Sequence, residues 1–192
     1  MNIYLVRHGN YSNPENIYPF LLPVFLSPDG IEQIQRVGEW FKKESVRGIP
    51  IYSSPVKRCV QTAEIISKVI DSPVSTDDRL IESGCPNLQG KVKPENGNDA
   101  ITEQCNDPSR ESLEDQQSRM RDIFDEKVKE DKDCILVSHG DPITSLYYYL
   151  MKMPLVNCLF DDEHYDEYVK RGEIVKITIF SADSCVVSRY TA

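Results

Sequence analysis

The sequence predicts an α/β fold, and three observations carry that reading. Apolar runs of strand length alternate along the chain with segments of helical periodicity. Two of the apolar runs, Ile3 to Val6 and Ile135 to Val137, end in the same His-Gly pair. Two further strand-like or polar stretches lead into residues suited to starting helices, Ser27-Pro28-Asp29 and Ser54-Pro55.

In chain order, residues 2–7 read as a buried strand. Ser27 as cap, Pro28 in the first helical position and Asp29 in the first turn then open a helix. Its apolar face repeats at Ile31, Ile34, Val37 and Phe41, to about Glu44. Ile49 to Ser53 is a short strand, followed by a helix with Val56, Val60, Ala63 and Ile66 along one side and a short strand near Val74. Residues 83–109 show no periodicity and hold Gly84, Pro86, Gly90, Pro94, Gly97 and Pro108, so they read as an irregular loop insertion. Glu111 to Glu130 reads as a charged surface helix, Cys134 to Ser138 as a second buried strand, and Ile143 to Met151 as a helix. An acidic loop, Asp161 to Glu167, precedes two closing strands, Ile174 to Phe180 and Val186 to Tyr190, turned at Ala182-Asp183-Ser184.

The 192 residues fit one domain, with 40% hydrophobic and 28% charged residues. No apolar run is long enough to span a bilayer; the longest, Tyr18 to Leu26, is broken by Pro19 and Pro23. The first residues lead directly into a strand, without the basic stretch, apolar core and cleavage site of a signal peptide, which sets the expectation of a cytoplasmic protein. The six cysteines stand singly, with no Cys-x-x-Cys pair to suggest zinc or a redox motif, and Cys59 and Cys134 read as reduced core residues. A net charge of −9 argues against nucleic acid or an anionic membrane as partner. An anionic substrate would need a local positive spot in a negative protein.

Such a spot is available where the strands end. Arg7-His8-Gly9 follows the first buried strand, and in open α/β sheets ligands bind at the carboxyl edge. Arginine suits the oxygens of a phosphate, and imidazole can be a nucleophile. Ser138-His139-Gly140 repeats the pattern, so two of only three histidines follow buried strands. If those strands are parallel neighbours, both imidazoles share one crevice. Arg58 lies in the first turn of a predicted helix, where free backbone N–H groups and the dipole favour an anion.

Together, Arg7-His8-Gly9, the stretch from Ser53 through Arg58 to Glu64, and Ser138-His139-Gly140 resemble the histidine phosphatase superfamily, which includes the cofactor-dependent phosphoglycerate mutases. Leu26 to Gly30, Arg79-Leu80-Ile81-Glu82 and Leu88-Gln89-Gly90 fit the same order, so the resemblance spans nearly the whole chain. It implies a single catalytic domain over residues 1–192, three-layered, with a mostly parallel central sheet and helices on both faces, phosphoglycerate mutase-like. It implies His8 as nucleophile and Arg7, Arg58 and His139 around the phosphoryl oxygens, with His139 a charged donor. Glu82 would be the general acid, then the base for water that hydrolyses phospho-His8. Because the cations are side chains, neither metal nor other cofactor is implied.

The chain departs from the mutase pattern at Ser83, where an arginine usually follows the catalytic glutamate. Residues 83–109 offer only Lys91 and Lys93 as basic groups. These departures favour a metal-independent phosphatase, acting on a phosphorylated small molecule or a phosphoprotein, over a mutase; a binding or scaffold protein on this fold is a third reading. Pro14 occupies a place where the family often has asparagine, leaving Asn10, Asn13, Asn16 and Ser12, with Gly140, as candidate substrate contacts. Residues 17–26 either pack on the domain or form an apolar wall beside the pocket. Arg110-Glu111-Ser112 resembles the family's Gly-Glu-Ser segment with arginine in place of glycine, making Glu111 a candidate near the site and Ser112 a helix start. His164 reads as part of a solvated loop.

Overall fold

Two buried faces define the architecture. In the computed structural model, which describes residues 1–181 and 184–192, the strands β1 (Asn2–Arg7), β2 (Ile51–Ser53), β3 (Val74–Thr76), β4 (Cys134–Ser138), β5 (Glu173–Ser181) and β6 (Ser184–Thr191) form one sheet of order β3-β2-β4-β1-β5-β6. The pairs β3–β2, β2–β4 and β4–β1 are parallel, and β1–β5 and β5–β6 antiparallel. Residues 182 and 183 of the expected Ala182-Asp183-Ser184 turn lie outside the described residues.

Alternate side chains of a strand face opposite ways, which explains why β1 and β4 are apolar throughout. Tyr4, Val6, Ile135 and Val137 pack with Ile34, Val37 and Phe41 of α1 (Pro28–Lys43) and Cys59, Ala63 and Ile66 of α2 (Lys57–Ile70). Ile3, Leu5 and Leu136 pack on the other face with Met120 and Ile123 of α4 (Leu113–Glu130) and Ile143 and Leu146 of α5 (Gly140–Leu150). The result is the expected three-layer α/β arrangement on a mixed sheet. Ser27 caps α1 by accepting from the Gly30 N–H (3.3 Å), and Ser112 caps α4 by accepting from the Asp115 N–H (3.0 Å).

Two expectations need correction. Residues 83–109 are not irregular throughout: Gly97–Asn106 form helix α3, capped by Asn96. This helix buries no residue fully, so it has no broad apolar stripe to register as periodicity. Helix α5 begins at Gly140 rather than Ile143, which makes His139 its N-cap residue. Cys105 of α3 is disulfide-bonded to Cys158 across 53 residues of sequence, a pairing that the spacing of the cysteines does not signal. Cys59 and Cys134 are buried free thiols, as expected.

The apolar stretch 17–26 and the 83–109 insertion hold each other over the strand ends. Tyr18, Phe20, Cys85 and Leu88 form a small separate core, and Tyr18 exchanges backbone hydrogen bonds with Gly90 and Lys91 (both 2.9 Å). Leu21 and Phe25 stay exposed, so this stretch is partly packed and partly wall.

Gly30 seats α1 against the loop that follows His8: a Cβ there would overlap the backbone carbonyl of Asn10, which cannot move aside as a side chain could. Gly30→Ala is expected to cost about 2 kcal/mol or more of unfolding free energy in urea denaturation. Gly84→Ala, whose Cβ would meet nothing within 4 Å, serves as the control and should stay within about 0.5 kcal/mol.

Candidate active site

Parallel pairing of β1 with β4 sets Arg7 opposite Ser138, and the His8 N–H donates to the Ser138 carbonyl (3.1 Å) just beyond. The residues that follow, His8 and His139, therefore leave the sheet side by side, with ring centroids 5.2 Å apart. Strand β2 is parallel to β4 and ends at the same edge, so α2 rises beside them and Arg58 reaches both imidazoles. Arg7, His8, Arg58 and Glu82 line a cavity of about 450 Å³, with His139 fully buried behind Arg58.

The His8 ring is held in a single tautomer. The Gly9 carbonyl, 2.8 Å from Nδ1, can only accept, so the proton sits on Nδ1 and Nε2 carries the lone pair. Burial, then Arg58 and Arg7, push its pKa well below the ordinary value, so the ring is neutral at pH 7. Arg58 Nε donates to that lone pair (3.1 Å). Arg58 Nη2 donates to the Phe20 carbonyl (2.8 Å) and contacts His139 Nδ1 (3.0 Å). That contact fixes the His139 proton on Nε2, which donates to Ser54 Oγ (2.9 Å). Burial and Arg58 also hold His139 well below its usual pKa. The charged-donor role expected of His139 therefore depends on an added negative charge beside the ring. Arg7 donates from Nη1 to the Val169 carbonyl (2.7 Å), while its Nε and Arg58 Nη1 are buried without a partner. Unpaired buried donors are costly, and these two suit an oxyanion.

Glu82 follows a single 3₁₀ turn, Asp78–Leu80, that packs under β4 through Ser138 Oγ donating to the Leu80 carbonyl (2.7 Å). Its Oε2 lies 3.8 Å from Arg58 Nη2 and 3.6 Å from His139 Nδ1. Burial first, then the Asp141 carboxylate, raises its pKa to about 6, against the opposing pull of Arg58 and Arg7. The ligand atoms of His8, Glu82 and His139 lie within 4.8 Å of one another, a spacing a metal could bridge. The adjacent Arg7 and Arg58 guanidiniums oppose a further cation there.

Several participants were not singled out from sequence. Asp141 is buried and accepts from Arg110 Nη2 (2.9 Å), Tyr168 Oη (2.9 Å) and Ser83 Oγ (3.4 Å). Ser83 also donates its backbone N–H to Glu82 Oε1 (3.0 Å), so Ser83, the departure from the mutase pattern, and Arg110, which stands for the family's glycine, converge on the carboxylate beside Glu82. Tyr168 stacks on Arg7, its ring centroid 4.8 Å from the guanidinium carbon. Arg171 lines the same cavity. The His-Gly repeat marked the strand ends, but nothing in the sequence signalled residues brought in by the acidic loop and its exit.

The candidate substrate contacts fare unevenly. Asn10 points its amide to Asp29 Oδ2 (2.9 Å) and borders a neighbouring cavity. Asn16 lines the main cavity, but Ser12 and Asn13 are not among its lining residues. Asn13 instead closes its own loop through hydrogen bonds to the Ile17 backbone (2.9 and 3.1 Å). Gly140 serves packing: a Cβ would overlap Tyr168 and lie 2.8 Å from the Arg7 guanidinium carbon. Glu111 is turned to Arg119 (2.7 Å), and His164 pairs with Asp161 (2.7 Å) away from the cavity.

The model for branch 1 of the histidine phosphatase superfamily matches residues 3–160. A 2,3-bisphosphoglycerate-dependent phosphoglycerate mutase of Thermoplasma acidophilum is 26% identical over 181 residues, covering 91% of this chain and 86% of its own. A protein of Hydrogenobacter thermophilus named as a candidate phosphoserine phosphatase 2 is 28% identical over 166 residues, 81% of each chain. Among solved structures, a mycobacterial glucosyl-3-phosphoglycerate phosphatase superposes with a TM-score of 0.78 at 20% identity, covering 100% of this chain and 98% of its own.

Removing the Asp141 charge should lower the Glu82 pKa, since Asp141 is the largest charge raising it. A reaction that needs protonated Glu82 loses rate as pH rises through about 6 in the free protein. In Asp141→Asn that alkaline limb of kcat/KM is expected at lower pH, because Arg7, Arg58 and the unpaired Arg110 then act without a counter-charge. A pH profile on a phosphomonoester checks it; an unmoved limb would separate Asp141 from Glu82.

Proposed function

Because the chain belongs to branch 1 of the histidine phosphatase superfamily, we propose that it is a metal-independent phosphatase that hydrolyses a phosphomonoester through phospho-His8. The observation that carries the reading is the Nδ1–Gly9 bond, which aims the His8 lone pair into a cavity where Arg7 and Arg58 offer unpartnered donors. Incoming phosphoryl oxygens draw Arg58 from His8 and free Nε2 to attack phosphorus. The P–N bond forms as the ester P–O bond breaks, and Glu82 gives its proton to the leaving oxygen. Arg7, Arg58 and His139 hold the charge spread over the equatorial oxygens, and the dianion supports the proton His139 needs to donate. The Glu82 carboxylate next takes a proton from water, whose oxygen attacks phosphorus and breaks the P–N bond. Inorganic phosphate and neutral His8 remain.

A small phosphorylated molecule suits the site better than a folded phosphoprotein. His8 is 1% exposed at the base of a cavity of about 450 Å³, the size of a metabolite site. Among the described residues no helix is long and apolar enough to cross a membrane. The cytoplasmic location stays part of this proposal; the free thiols of Cys59, Cys85 and Cys134 fit it, and the Cys105–Cys158 disulfide argues the other way.

One observation favours a mutase as second reading. Arg171 and Lys93 both line the cavity, so basic groups that seemed scarce in the 83–109 insertion are supplemented from another segment. Steady interconversion of phosphoglycerate isomers, faster than phosphate release, would establish it.

His8→Ala is expected to lose phosphate release from p-nitrophenyl phosphate by at least about 10³-fold, and rapid-quench labelling with a ³²P-phosphomonoester should mark wild type but not the variant. Label persisting in His8→Ala overturns the assignment. Glu82→Gln should cost about 10²-fold or more with an alkyl phosphate and much less in the first step with p-nitrophenyl phosphate, whose leaving group needs no proton.

A further inference from the structure

Arg7, Arg58 and His139 suffice for one phosphoryl group, yet the cavity has a further guanidinium. Arg171 leads into a tight turn at Gly172 (φ 72°) just before β5. Only its backbone carbonyl is engaged, by Gln33 Nε2 (2.6 Å); its guanidinium makes no hydrogen bond or ion pair among the described residues. The group instead lies over Tyr11, its carbon 4.5 Å from the ring centroid, while the Arg58 carbon is 5.5 Å from the same ring. Tyr11 thus holds Arg171 within one small ligand's length of the phosphoryl clamp.

A second cavity of about 480 Å³ adjoins the first and shares Arg7, Tyr168 and Arg171 with it. Asn10, Tyr165 and Lys170 complete its lining, so it presents three cations and no carboxylate in a chain of net charge −9. Lys170 donates to the Tyr165 carbonyl and lies over that ring. Burial is the main cause that lowers the basicity of both Arg171 and Lys170; Arg7 and Arg58 add to it at Arg171, and Arg189 and Arg7 at Lys170, where Glu173 and Asp166 partly offset it. An anion in that cavity would meet Arg7, Lys170 and Arg171 with no lining carboxylate to repel it.

We propose that Arg171, backed by Lys170, forms a second anion subsite beside the phosphoryl site and selects phosphomonoesters bearing a second oxyanion within a few bonds of the ester. The proposal rests on the phosphatase reading for the identity of the first group, but not for its test. Guanidinium pairs with carboxylate or phosphate through the same fork, so either serves as the second group.

Binding of three non-hydrolysable phosphonates measured by calorimetry separates the outcomes. Wild type should bind 3-phosphonopropionate or ethane-1,2-diphosphonate about tenfold or more tightly than 3-hydroxypropylphosphonate, which has a neutral tail. Arg171→Gln should erase that advantage while leaving 3-hydroxypropylphosphonate within about twofold, and Arg171→Lys should restore part of it. Thermal unfolding confirms that the variants fold. No preference in wild type, or equal weakening of all three ligands by Arg171→Gln, overturns the subsite; the second result would make Arg171 a clamp on the first phosphoryl group. Hydrolysis of p-nitrophenyl phosphate by the same wild-type preparation tests the phosphatase reading independently.

Discussion

The parallel pairing of β1 with β4 is the constraint on which the site depends. Its register sets Arg7 against Ser138, and one further hydrogen bond, from His8 N–H to the Ser138 carbonyl, carries the alignment past the strand ends. A shift of one residue would turn the buried side chains to the opposite layer and separate the two imidazoles. Because Ile3, Leu5, Leu136 and Val137 are wholly buried between helices, that slip is opposed by the whole core. The two imidazoles are therefore placed by packing rather than by loops.

Electrostatics then assigns each side chain its part. The protein is acidic overall, but Arg7, Arg58, Lys93 and Arg171 line the cavity, and burial together with Arg58 and Arg7 holds both histidines well below their ordinary pKa. Arg58 and Arg7 pull the Glu82 pKa down, but burial and Asp141, itself held by Arg110, Tyr168 and Ser83, outweigh them and raise it to about 6. Two carboxyls side by side in different surroundings are thereby set apart in their readiness to hold a proton. The substitutions at Ser83 and Arg110 are parts of one arrangement: the serine bridges the two carboxyls, and the arginine neutralises the second.

The legible elements are those whose cause is local. Fully buried strands show as apolar runs, capped amphipathic helices show as Ser-Pro-Asp or Ser followed by period-3.6 repeats, and α1, α4, β1 and β4 were readable for that reason. Helix α3 was not, because it lies on the surface and buries nothing fully. The start of α5 was missed because His139 and Gly140 read as a strand end, while the chain turns into the helix without an intervening loop. Ser12 and Asn13 stood near His8 in sequence, but the loop folds back on Phe25 and Ile17, so proximity along the chain was a poor guide.

By itself the sequence determined the α/β layering, the recurrence of His-Gly after two buried strands, and a set of arginine, histidine and glutamate residues suited to phosphoryl transfer. These follow from periodicity and residue chemistry, which are properties of short segments. Only the tertiary structure decided that Asp141 lies where it raises the Glu82 pKa, that burial and Arg58 hold His139 well below its usual pKa, and that Arg171 shares the Tyr11 ring with Arg58. Those outcomes depend on burial and on charges brought together from distant segments, and neither distance nor desolvation is written in the order of residues along a chain.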